Sequence, residues 1–332
     1  MMLLSRTAEN LYWLGRHLER AEAVARIVSE HTKLLVDLPV DVDSDWAALL
    51  AITGAEATHA ERYGVSDEAM VITHLVADVT NPTSMLRTVA DARENLRVSR
   101  QLLPSSLWET LNVMHASLAA AASTCVRRAD RLEVCASVIA SCQQIVGIIA
   151  GSISRDAAYR FYELGRTIER ADMVTRVLDV RAAGLLAESA KPVVPPADRS
   201  PYEDVRWMGV LRTLGAQHSF SRAMPGSINA DSVVTFLVDD ELFPHSVAHC
   251  LSHIIAMLAE LPNGEGLCVT AADLKVDVAV RPERPMEAAS LRTWLDEAQR
   301  GICGLHVSIA DTFFAAAPVA ADVGRTRRQV VV

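Results

Sequence analysis

Two stretches of this chain carry the residues best suited to chemistry. Leu11 to Val28 reads LYWLGRHLERAEAVARIV, and Phe161 to Leu178 reads FYELGRTIERADMVTRVL, with nine of eighteen positions identical at an offset of 150. At about 100° per residue, Tyr12, Arg16, Glu19 and Arg26 share one helical face, as do Tyr162, Arg166, Glu169 and Arg176 in the second copy. That face lies largely opposite the Leu11/Leu14/Leu18 stripe. Arginine forks there could grip a carboxylate or phosphate through paired hydrogen bonds. A glutamate could hold an amine or take a proton as general base. Glu19 and Glu169 are therefore the catalytic candidates, and Tyr12, Arg16, Arg20, Arg26, Tyr162, Arg166, Arg170 and Arg176 the candidates for binding substrate or anion.

The same residues also read as a buried polar network with no ligand. Arg16 and Arg20 would then pair with Glu9, Glu19 or carboxylates from other helices, and Glu22–Arg26 and Asp172–Arg176 would form i,i+4 pairs. An exposed pair of this kind contributes only a few tenths of a kcal/mol. Keeping the pattern in both copies therefore implies that these faces are covered or used. Gly15 and Gly165 point the same way, because a mid-helix glycine costs about 1 kcal/mol against alanine unless close backbone approach offsets it.

A second cationic group stands at Arg93, Arg97 and Arg100, spaced i, i+4, i+7, with Trp108, Glu109 and Asn112 downstream. It reads either as an anion site, with Arg93 and Arg97 as candidates, or as a set of interhelical salt bridges. His245, His249 and His253 repeat every fourth residue, so neighbouring pairs could chelate a metal, but no H-E-x-x-H pattern accompanies them and no metal site is expected. The sequence holds no Walker A loop, no G-x-G-x-x-G and no G-x-S-x-G, so neither a nucleotide site nor a cofactor is expected.

The elements that must position these residues are helical. Apolar residues at Leu11, Leu14, Leu18, Ala21, Ala25 and Val28 follow a 3-4-3-4-3 spacing. Further helices are expected near residues 45–60, 83–102, 105–122, 128–151, 156–186, 202–217, 229–240, 245–261, 286–302 and 304–316. Asn81-Pro82-Thr83-Ser84 and Pro244-His245-Ser246 read as helix starts. The proline-rich run from Ala187 to Pro201 reads as a linker, and Val276, Val278 and Val280 as a short strand or extended excursion. Trp46 and Leu50…Gly54 match Trp207 and Leu211…Gly215 at an offset of 161, and His74…Asp78…Pro82…Ser84 resembles Phe236…Asp240…Pro244…Ser246 at 162. These ordered matches imply a duplication: a first half at 1–151, a second at 152–316 sharing one core about a pseudo-twofold axis, and a flexible basic tail at 317–332.

The composition agrees with this architecture. Apolar residues make up 50% and aromatics 5% of 332 residues, which suits close-packed helices. A net charge of −9 argues against general nucleic-acid binding. Six scattered cysteines without a C-x-x-C pair read as reduced, mostly buried thiols of a cytoplasmic protein. The uncharged run Val134–Ile153 contains Gln143, Gln144, Gly147 and Gly151, and reads as a buried central helix and not a membrane span.

The opening Ser5 to Arg16, with Leu18-Glu19-Arg20-Ala21-Glu22, resembles the start of the bacterial alpha-E domain family. The likeness continues in Ala92-Arg93-Glu94-Asn95, in Trp108-Glu109, in Leu164-Gly165-Arg166…Glu169-Arg170-Ala171-Asp172 and in Pro244…Ser246-Val247, and spans the chain to about residue 315. At His245 this sequence departs from the basic side chain more usual in the family. The resemblance implies a helical domain of unknown function, often encoded beside or fused to a circularly permuted ATP-grasp protein, with transglutaminase-like proteins as frequent neighbours. It therefore implies an accessory role in amide or peptide bond formation or peptide modification. Two other readings stay open: an enzyme in its own right that uses the duplicated Glu/Arg cleft, and a purely structural or oligomerisation module. A homo-oligomer is compatible with each.

Overall fold

The computed structural model describes residues 4–37, 46–182, 184–185, 203–226, 228–282 and 287–315. The protein is all-α, with fourteen α-helices and no strand among the described residues. The first part comprises α1 (Ser5–Asp37), α2 (Ala47–Thr53), α3 (Glu56–Arg62), α4 (Glu68–Val76), α5 (Met85–Ser99), α6 (Ser105–Ala121) and α7 (Arg128–Ser152). The second comprises α8 (Ala157–Val177), α9 (Glu203–Thr213), α10 (Gln217–Ala223), α11 (Ala230–Asp239), α12 (Val247–Ala259), α13 (Glu265–Ala279) and α14 (Ala288–Phe313). One hydrophobic cluster runs from Ala8 to Ile309 and draws on both parts.

The centre of the molecule is the pair α1/α8. Their contacts advance in the same direction along both helices: Gly15 meets Tyr162 and Arg166, Arg20 meets Glu169, and His31 meets Arg181. The two helices therefore run parallel. Packed around them, α5 and α7 lie against α1, and α12 and α14 against α8. Start signals work as local chemistry predicts. Asp156 accepts from the amides of Ala158 and Tyr159 to cap α8, and Ser84 and Ser246 cap α5 and α12 by accepting from the third residue onward. Arg131 is fully buried and ties α7 back to α1, donating to Thr32 Oγ1 at 3.1 Å and to the carbonyls of Cys125 and Val126.

Several elements differ from the sequence expectation. The segment around Val276 and Val278 is helical, not a strand. Leu267, Ala271, Leu274 and Val278 are buried at 4-3-4 spacing, and this longer apolar stripe outweighs a valine alternation that spans barely one turn. The 45–60 helix is broken at Gly54, which takes the left-handed conformation at φ 66°. The expected helices at 286–302 and 304–316 are one continuous helix, α14. Helix α8 ends at Val177 and passes into a π-helical turn, Leu178–Ala182. Helix α4 was not anticipated. Helix α7 is not central. It buries Val134, Cys135, Val138, Cys142, Ile145 and Ile149 and exposes Ala136, Ala140, Gln143, Gln144 and Gly147, so that beyond Glu133 its outer face is uncharged because it is small or amide-bearing. Among the described residues α7 is also the one helix long and apolar enough to cross a membrane. The Ala187–Pro201 run and residues 317–332 lie outside the described residues.

Candidate functional site

The two signature helices meet at their glycines. A Cβ on Gly15 would fall on the Tyr162 carbonyl oxygen and 2.8 Å from the Arg166 nitrogen. A Cβ on Gly165 would fall on the Tyr12 carbonyl oxygen and 2.7 Å from its carbon. Backbone thus touches backbone on both sides of one crossing.

That approach brings the charged residues into a reciprocal clasp. Glu169 is fully buried and accepts from Arg16 Nε at 2.7 Å and from Arg20 Nη2 at 2.9 Å. Glu19 accepts from Arg170 Nε at 2.6 Å, Arg170 Nη2 at 2.9 Å and Arg166 Nε at 3.1 Å. Burial alone would raise both carboxyl pKa values. The paired guanidiniums, Arg170 and Arg166 for Glu19 and Arg20 and Arg16 for Glu169, more than offset it and hold each at about 2. Both are carboxylates throughout the physiological range, with their oxygens already engaged.

The remaining candidates sit as follows. Arg26 pairs with Glu22, and its guanidinium lies against the left-handed turn at Gly215. Arg176 pairs with Asp172 at 2.8 Å and lies against the turn at Gly54. Each long helix therefore also docks on a turn contributed by the other part of the chain. Tyr12 shares a 2.7 Å hydrogen bond with His306 Nδ1, whereas the buried Tyr162 hydroxyl has no partner among the described residues. Arg93 donates to Asn112 Oδ1 at 2.6 Å and stacks on Trp108, while Arg97 is exposed and pairs with Glu94. Arg93 and Arg97 thus serve different partners. The three histidines at and just before α12 also diverge. His245 is packed near Arg170 and Glu19 and pushed down to about 3 by burial, His249 bonds the Glu241 carbonyl, and His253 faces Glu163 at 3.4 Å. Among the described residues no three His, Cys, Asp or Glu side chains could hold a metal ion.

Sequence reasoning missed three participants. Glu163 accepts from Arg166 Nη1 at 3.3 Å, and His17 and His306 lie beside Arg16 and Arg20. The first was legible as a mismatch. Position 163 is glutamate where its counterpart in the repeated helix, position 13, is tryptophan.

Fold and clasp together define an all-helical protein built around a parallel helix pair that is closed by two glycines and cross-bonded by Arg/Glu groups. The chain belongs to the Alpha-E family, described as a predicted α-helical domain with a conserved ER motif, which matches residues 3–314. Glu19-Arg20 and Glu169-Arg170 are two Glu-Arg dipeptides of this chain, and they stand at the centre of the clasp. Among its relatives are an uncharacterized protein of Mycobacterium bovis, Mb2597, and two of Mycobacterium tuberculosis, MT2643 and Rv2567. Each is 24% identical over 330 residues, a match that covers 92% of this chain and 36% of the relative. The chain thus spans about a third of the length of the curated relatives it matches. No solved structure matches it.

Proposed function

We propose that this chain is a helical accessory module that binds and positions a larger partner protein and does not use Glu19 or Glu169 as a general base. The observation that carries this reading is the state of Glu19 and Glu169. Each is buried, ionised and engaged by two arginines, so neither is poised to take a proton near neutral pH. A clasp of this kind fixes register instead. Sliding one helix past the other by a turn would leave buried charges unpaired, at about 3–5 kcal/mol for each broken pair. The arrangement favours a rigid scaffold over an enzyme built on these residues.

The length of the relatives supports a role alongside further polypeptide, because the matched stretch is only 36% of each. The partner proposed is a circularly permuted ATP-grasp ligase acting in amide or peptide bond formation or peptide modification, with a transglutaminase-like protein as a further associate. The two parts of the chain are read as a duplicated unit, one on each side of the α1/α8 crossing. The test is to purify this chain and a circularly permuted ATP-grasp protein from the same organism, measure their association, and follow ATP turnover with and without this chain. Association with altered turnover is the expected result. Neither association nor any change in turnover would sink the proposal.

A further inference from the structure

The two clasps are alike in design but unequal in charge. In the second, Arg166 and Arg170 face two carboxylates, Glu19 and Glu163, and Arg170 Nη1 also donates to the Pro244 carbonyl. In the first, Arg16 and Arg20 face Glu169, and among the described residues no second carboxylate lies within ion-pair distance of either. The position equivalent to Glu163 is Trp13, whose ring lies 5.1 Å from the Arg16 guanidinium. One positive charge there is left without a local anion. Asp172 also acts on Arg16 but is held by Arg176 at 2.8 Å, and Asp91, which faces His17, is held by Arg87 at 2.8 Å.

Trp13, His17, Arg20 and His306 are each partly exposed around the buried Arg16. Trp13 stacks on His17 and meets His306 edge-on. His17 Nδ1 is buried with no hydrogen-bond partner among the described residues.

We infer that the first clasp binds an external carboxylate, seated on Arg16 between Trp13, His17 and His306, which supplies the negative charge that Glu163 supplies in the second clasp. Glu163 is the built-in template. It shows that this design accepts a planar carboxylate against the outer edge of the arginine three residues later. The aromatic walls suit a carboxylate carried on a small organic molecule or a chain end. The site does not depend on the partnership proposed above, because it lies within this chain and is tested on this chain alone.

Both histidines are kept neutral by burial and by the neighbouring arginines, each pushed down to about 4. The charged groups facing His17 are Arg20, Asp91, Glu169 and Arg16, and those facing His306 are Arg16, Glu169 and Arg20. An anion arriving among them would favour protonation of both rings, raising each pKa by about one unit or more.

The experiment is an acetate titration of the whole chain at constant ionic strength, followed by the imidazole NMR signals of His17, His306 and His253, with inorganic phosphate as a second arm. Saturable shifts at His17 and His306, a rise in both pKa values, and no saturable shift at His253 are expected. Trp13→Glu should supply the missing carboxylate and weaken acetate binding by about tenfold or more. No saturable shift in the wild-type chain would overturn the inference. Equal shifts at His253, undiminished binding in a folded Trp13→Glu protein, or a response to phosphate without one to acetate would do the same. Should Trp13→Glu not fold, the wild-type titration decides alone.

Discussion

Adding one methyl group at the crossing, by Gly15→Ala, tests the geometry of the clasp directly. The new Cβ would meet the Tyr162 carbonyl and the Arg166 amide nitrogen, which are backbone atoms and cannot rotate away. Reaching ordinary contact requires the two helices to part by about 1 Å. Overpacking of this kind costs about 1–3 kcal/mol, and the helix-propensity gain of alanine over glycine returns about 1. Parting the helices also lengthens ion pairs now at 2.6–3.1 Å, on charges too buried for water to compensate fully. The net expectation is a loss of about 2 kcal/mol or more. Gly147→Ala in α7 is the matched control, since a Cβ there meets nothing within 4 Å. It should stabilise by about 0.5–1 kcal/mol. Urea unfolding of the three proteins, followed by far-UV circular dichroism, compares them on one scale. A Gly15→Ala protein as stable as Gly147→Ala would refute the close-approach argument.

Two further outcomes follow from the same network. Glu169→Gln removes the charge but keeps the shape, leaving Arg16 and Arg20 buried without a carboxylate, and should cost about 3–5 kcal/mol in urea unfolding; an unchanged midpoint would show that the pair is not desolvated. Acid should destabilise the fold in two stages. His31 and His245 are pushed down to about 3 by burial and His17 to about 4, so below pH 6.5 the unfolded chain takes up protons that the native state refuses. Each of the three then removes up to about 1.4 kcal/mol per pH unit until its folded pKa is reached. Glu19 and Glu169, held at about 2 against 4.5, contribute stability above pH 4.5 that is lost as pH falls through their folded values, on the order of 3 kcal/mol each. Asp172 and Glu22 are raised by burial and oppose this trend. Urea midpoints measured from pH 7 to pH 4 should fall steadily, and a flat profile between pH 6.5 and 5 would contradict the buried neutral histidines.

Much of the architecture was legible because helix periodicity is local. The 3-4 spacing of α1 and the caps at Ser84 and Ser246 each depend on a handful of neighbouring residues. The same locality explains the errors. Three valines at the end of α13 imitate a strand until the preceding two turns are counted, and α7 reads as central because its exposed face carries no charge beyond Glu133. The six cysteines are free and four of them are buried, in line with the expectation of mostly buried thiols.

What the sequence determined by itself about the site was its membership: which tyrosines, arginines and glutamates recur, and that two glycines accompany them. Which arginine holds which glutamate was decided only by tertiary structure. An arginine three or four residues from a glutamate on the same helix is within reach of it, so sequence spacing cannot tell an internal pair from a cross-helix one. The parallel contact at Gly15 and Gly165 settles it, sending Arg16 and Arg20 to Glu169 and Arg166 and Arg170 to Glu19. The same crossing turns the single mismatch between Trp13 and Glu163 from a detail of alignment into a difference of charge between two otherwise matched sites.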